Sequence, residues 1–351
     1  MVIRQNVKPS FSSTESAQSA EFYKLIVDFL NIVDLGARAG QAVKACFRKG
    51  VLFGFNAVTI VVLSRGKCGL SKCVTRYLVA LAAADLLVII TDLILRQIPI
   101  IHRMYIVLTI PVCNIHAVLL YAATDCSVWF TVTFSFDRFV AICFQTLKTK
   151  YCTERMAAVD LGTVTVLSGL KNIPWYFMFT SQYKLLESSW FCYVTIHVAL
   201  SRVWGTIEFI QYILTPGIPF ILVLLINAVT VRYILVASRA RQRLRGPRSA
   251  ESTRDPEMNG RRKSIILLLM ISSNFILLWA VFMLCSILRP ACSFNCLPVR
   301  IPFYVWEMGF MLQLLSCCTN TCIYAVTQTK FREQLKNAVK YAFALIIKYI
   351  K

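Results

Sequence analysis

Histidine is scarce in this chain, and so is acid. The three histidines, His102, His116 and His197, stand far apart without metal-ligand or catalytic spacing, which argues against a zinc enzyme or a histidine-dependent one. No Asn-x-Ser/Thr sequon occurs. Residues 1–19 are polar and no apolar core precedes a small-residue cleavage site before residue 50, so no cleavable secretory signal is expected. The decisive absence is of charge over long stretches. With 57% hydrophobic and 16% charged residues, the chain is too apolar for a single soluble core.

Windows with almost no charge lie at about 51–64, 74–95, 112–143, 156–179, 207–236, 264–288 and 301–326. Apart from the first, each is long enough to cross about 30 Å of hydrocarbon as a helix. The runs are continuous and do not alternate with period two, which disfavours a barrel. The expected fold is therefore an all-α membrane protein, a seven-transmembrane helix bundle over 51–326. An extracellular segment, 1–50, precedes it, and a cytoplasmic amphipathic helix, 327–351, follows. Span one is weak: about thirteen residues, Val51 to Leu63, rise only about 20 Å and follow the basic residues Arg38, Lys44, Arg48 and Lys49.

There are 38 Lys and Arg residues against 17 Asp and Glu, a net charge of +21. Placed relative to the spans, the cations fall on alternate sides. They concentrate after span one (Arg65, Lys67, Lys72, Arg76), after span three (Lys148, Lys150, Arg155), after span five (Arg239 to Lys263) and in the tail. The opposite loops have Arg103, Lys184, Arg289 and Arg300 as their main cations. By the positive-inside rule the rich side is cytoplasmic and the N-terminus extracellular, as in a multi-pass plasma-membrane protein. The charge reports orientation and an affinity for anionic lipid. It does not indicate nucleic acid, for which no motif is present.

Polar residues inside the spans fall on helical stripes. Cys113 and Arg138 are 25 residues apart, within roughly 20° on one face and about 37 Å along the axis, with Ser127 on the same stripe. Asp85, Asp92 and Arg96 share a face of span two, with Asp92 and Arg96 in ion-pair register. Ser316, Asn320 and Tyr324 form a ridge on span seven, and the tail places Phe331, Leu335, Val339 and Phe343 among lysines in a basic amphipathic pattern. Among the cysteines, Cys126, Cys143, Cys285, Cys317, Cys318 and Cys322 read as small packing residues. Cys113 and Cys192 both face the oxidising side, which permits a disulfide, and Cys292 with Cys296 could form a second clip.

Seven spans, a cysteine 25 residues before an Asp-Arg pair, "LAAAD" in span two and "NTCIY" in span seven are together specific. From about Asn56 to Lys340 the chain resembles a class A, rhodopsin-like G-protein-coupled receptor. Its inner loops, "LSRGKCGLSKCVTRYLVALAAADLLV" and "FDRFVAICFQTLKTKYCTE", look most like the orphan G-protein coupled receptor 139-like group. The resemblance implies no enzymatic activity and no cofactor, save an allosteric sodium ion at Asp85 and Ser127, with Ser316, Asn320 and Trp279 around it. It implies a G-protein switch at Asp137, Arg138, Asn320 and Tyr324, and a polar pair, Asn56 and Asp85, linking spans one and two. Cys113 and Cys192 match the family's usual disulfide.

There are departures. Val281 and Thr321 stand where the family has prolines, so spans six and seven should bend less or by other means. Leu120 occupies the position where amine receptors carry aspartate. The outer pocket is expected to hold Arg96, Tyr121, Asp125, Glu208, Gln211, Trp279 and Phe310. Charges of both signs beside aromatic rings suit a zwitterion, an aromatic amino acid or the end of a short peptide. The implied partners are that agonist, a heterotrimeric G protein and membrane lipid. The rival readings are a receptor-like protein that cannot signal because its first helix is truncated and, less well supported, a polytopic transporter.

Overall fold

The computed structural model describes residues 51–97, 110–178, 201–244, 256–293 and 302–350, and every regular element among them is helical. Main-chain polar groups cannot be left bare in lipid, and a helix satisfies them within one segment. Five stretches are long and apolar enough to cross a membrane: Lys72–Leu95, Pro111–Cys143, Arg202–Arg239, Ser264–Leu288 and Tyr304–Thr327. Span four is the helix Glu154–Lys171, continued by a 3-10 turn, Ile173–Phe177. The described part of span one is Val51–Ser64, only 14 residues. The expectations for residues 1–50 fall outside the described residues.

Caps locate the ends of the helices. Ser71 accepts the Val74 amide at 3.3 Å to start span two, and Thr153 accepts the Met156 amide at 3.2 Å to start span four. Both are hydroxyl residues just after a basic loop. Span five is interrupted at Ile213–Gly217, where Thr215 is extended (φ −152°, ψ 109°) ahead of Pro216. Spans six and seven, Pro256–Ser293 and Phe303–Thr327, run without such a break. Span two is irregular as well, ending in a π-helical stretch, Ile89–Gln97.

Thr321, in the place of a proline, instead stitches span seven to span one. Its hydroxyl lies 2.8 Å from that of Thr59 and donates to the Phe55 carbonyl at 3.4 Å. One turn earlier, the Asn56 amide donates to the Cys317 carbonyl at 2.9 Å. These bonds tie span one to span seven. Spans six and seven meet closely at Gly309, where an added methyl would sit 3.0 Å from the Phe282 Cα. The tail helix, Thr329–Ile350, tucks Phe331, fully buried, edge-on against Tyr324, with ring centroids 5.8 Å apart.

Thr321→Val leaves the buried Thr59 hydroxyl without this partner, at a cost of about 1–3 kcal/mol. A lowered melting temperature of the purified protein, partly restored in the Thr59→Val/Thr321→Val double variant, is the expected result.

Candidate functional site

Three polar clusters lie one above another through the bundle. At the basic end, Arg138 donates from Nε to Asp137 Oδ2 at 2.9 Å and from Nη2 to the same oxygen. Its Nη1 reaches the Ser264 hydroxyl of span six at 3.4 Å, and its guanidinium lies 6.0 Å from the centre of the Phe134 ring. Both members of the pair are 7% exposed. Asp137 is held in turn: Cys73 Sγ donates to Oδ1 at 3.3 Å, and Cys152 Sγ donates to the main-chain oxygen at 3.5 Å. Burial, and after it the Asp137 charge, push the Cys152 thiol up to about 12, so at neutral pH it keeps the proton it donates. Beyond it, Glu154 accepts two bonds from Arg76, which hold its carboxyl below its ordinary range. That pair stays ionised at neutral pH and is lost only as pH falls through the lowered value.

At mid-depth the fully buried Asp85 accepts from the Ser127 hydroxyl at 2.5 Å and from the Asn320 amide at 2.9 Å. Spans two, three and seven are thus joined at one carboxylate. The Asn56 amide bonds to the Cys317 carbonyl of span seven, so among the described contacts it ties span one to span seven. Ser316 is buried one turn before Asn320. The Tyr324 hydroxyl is buried without a hydrogen-bond partner, and the ridge it ends reaches Asp85 through Asn320.

Towards the far end lies a cavity of about 270 Å³. Tyr121, Glu208, Gln211, Trp279 and Phe310 line it, with Asp92 and Gln313 beside them. Trp279 sits in its floor, 2% exposed, with Phe275 and Phe282 centred 5.5 and 5.8 Å away. Tyr121 stacks on Trp175 at 4.1 Å. The Arg96 and Cys292 side chains, Cys192 and Cys296 fall outside the described residues. Cys113 is disulfide-bonded.

Asp125 needs correction. It does not line the cavity but lies behind the wall, fully buried, where Lys171 Nζ sits 2.7 Å from Oδ2. Asn172 donates to the same oxygen at 2.5 Å, and Gln211 donates to Oδ1 at 3.1 Å. An ionised carboxylate out of water needs such partners, and span four supplies them. Sequence reasoning missed Lys171, Asn172 and Gln313. Lys171 carried a signal, as a lone cation inside span four, and so did Asp160, which accepts the Tyr77 hydroxyl at 2.8 Å. The contacts of Cys73 and Cys152 with Asp137 had no signal, because one thiol opens span two, the other lies between two helices, and their order in the chain does not say which carboxylate they meet.

Asp137→Asn takes the counter-charge from Arg138, so ligand-independent G-protein activation should rise several-fold at matched surface level. Arg138→Ala should abolish activation. Both are read by G-protein dissociation in cells.

Residues 55–324 match the family of 7 transmembrane receptors (rhodopsin family). The match covers most of the chain and all seven spans up to Tyr324. Receptors of this family signal through G proteins and are multi-pass membrane proteins. With its apolar helices and the Asp-Arg pair at the basic end of span three, this chain belongs to the rhodopsin family of seven-transmembrane receptors.

Proposed function

We propose that this receptor takes a small extracellular ligand, an aromatic amino acid or a short peptide, into the far-end cavity, and that it activates a heterotrimeric G protein by releasing Arg138 from Asp137. The basic end then faces the cytoplasm and the N-terminus lies outside. The observation that carries the reading is the Arg138 arrangement: its guanidinium bonds Asp137 of span three and Ser264 of span six at once. While it does so, the basic ends of these spans are tied. Once released, its five donors can meet carbonyl oxygens of a protein partner.

An aromatic amino acid or the end of a short peptide fits the cavity chemistry. Glu208 and Asp92 offer carboxylates, and Trp279, Tyr121 and Phe310 offer ring faces. Arg96, one turn after Asp92 in the sequence, is the candidate for the ligand's carboxylate. The likeness of the inner loops to the orphan receptor 139-like group supports the same ligand class.

Sodium is proposed at Asp85. The residues fit a monovalent cation, since a buried carboxylate stands beside the hydroxyl oxygen of Ser127, with Ser316 nearby in sequence on span seven. Bound there, the ion would neutralise Asp85 and compete with the Asn320 amide, which can only donate. It would hold the mid-depth cluster in its resting form.

The test is activation by L-tryptophan and L-phenylalanine in cells, with surface level scored. A response is expected, weakened about tenfold or more by Glu208→Gln, as for the loss of a charge-assisted hydrogen bond. Silence of the unaltered receptor towards both amino acids would remove this ligand class. Replacing sodium by potassium outside the cell should raise agonist potency in the parent and leave Asp85→Asn unchanged.

A further inference from the structure

The wall of the far-end cavity contains a carboxamide whose two ends differ in sign, and something behind the wall decides which end faces in. Gln211 Nε2 donates to Asp125 Oδ1 at 3.1 Å. An ionised carboxylate only accepts, so it must meet the NH2 end of the amide. The Gln211 carbonyl oxygen is then turned away from Asp125, on a residue that lines the cavity, and no described group bonds to it. Asp125 itself cannot turn. Its other oxygen is held by Lys171 at 2.7 Å and by Asn172 at 2.5 Å, and Asn172 is fixed by a second bond from the same nitrogen to the Ser168 carbonyl at 2.8 Å.

A second acceptor points the same way. Gln313, 3% exposed, lines the cavity opposite span five, and its carbonyl oxygen is buried without a hydrogen-bond partner. Leaving a buried acceptor unpaired costs about 1–3 kcal/mol, a cost that a ligand N–H bound there would remove. On the span-five side Thr215 complements this pattern. Its oxygen accepts from Lys171 at 3.1 Å and from Trp129 at 3.2 Å, so its hydrogen remains to be given.

We infer that Asp125, clamped by Lys171 and Asn172, is a positioning residue that turns the Gln211 carbonyl into the cavity. This oxygen and that of Gln313 make the site selective for ligands rich in N–H donors. The inference rests on the cavity being the ligand site and deepens that reading, because it places the donor preference in a cluster that never touches the ligand.

The Asp125→Asn substitution gives a directional test. With Asn172 still donating, the oxygen of the introduced carboxamide stays on that side and its NH2 faces Gln211, so the Gln211 amide must flip and present NH2 to the cavity. Adding Lys171→Met keeps the cluster neutral. The measurement uses the full chain in lipid nanodiscs carrying Thr124→Cys, a cavity-lining position. The rates at which this introduced thiol reacts with a cationic reagent, aminoethyl methanethiosulfonate, and an anionic one, sulfonatoethyl methanethiosulfonate, are read by peptide mass spectrometry.

The parent should favour the cationic reagent. Gln211→Met should cut that preference about threefold, as expected for one hydrogen-bond acceptor. Asp125→Asn/Lys171→Met should cut it further, because an acceptor becomes a donor, yet on the Gln211→Met background it should change nothing. Asp125→Asn alone gives the same pattern and serves if the double variant does not fold. The inference is overturned by a parental ratio in the Asp125 variants, by an equal fall on the Gln211→Met background, or by an introduced thiol that neither reagent reaches. No agonist enters this measurement, so a receptor silent to amino acids would defeat the ligand reading while these ratios decide this one.

Discussion

A guanidinium held out of water needs a fixed counter-charge, and at the basic end of the bundle Arg138 has one in the residue just before it. Removing one member of such a buried pair costs about 3–5 kcal/mol, because the other is left uncompensated. An Arg138 that has let go of Asp137 is therefore stable only in water or against another protein. On the proposed reading, paired and released Arg138 are the two states of the switch. A bias of a few kcal/mol towards the paired form leaves a released form at roughly 0.1–10% of molecules, within reach of a ligand that binds it better.

The rest of the structure serves that bias. The Cys73 thiol occupies the second Asp137 oxygen, so the aspartate is aimed at Arg138 and nowhere else. The contact with Ser264 makes the pair a tie between spans three and six. Above it, Asp85 gathers spans two, three and seven, and Trp279 lines the cavity beyond. Two spans have weak apolar credentials, and polar bonds anchor each of them. Span one is held by Thr59 and Asn56, span four by Tyr77 on Asp160 and by Lys171 on Asp125.

What the sequence made legible follows from period and charge. Continuous apolar runs and alternating basic loops were enough for the bundle, while the pairing of Asp137 with Arg138 came from the resemblance to the receptor family. Tyr121, Glu208, Gln211, Trp279 and Phe310, from four different spans, come together along one cavity. Asp125 was misplaced for a reason the same logic cannot see. Its stripe was right, but its partner stood on another helix, and a lysine near the end of an apolar run gives no hint of which carboxylate it meets. The break in span five falls at "TPG", whereas spans six and seven, with Val281 and Thr321 in place of prolines, are continuous helices.

The claim that Asp137 restrains spans three and six through Arg138 is tested most directly by a distance. Spin labels at Leu147 and Ile266, both exposed near the basic ends, can be followed by double electron–electron resonance in nanodiscs without ligand. The account predicts that Asp137→Asn adds a longer-distance population to the single one of the parent. Identical distance distributions in the two would contradict it.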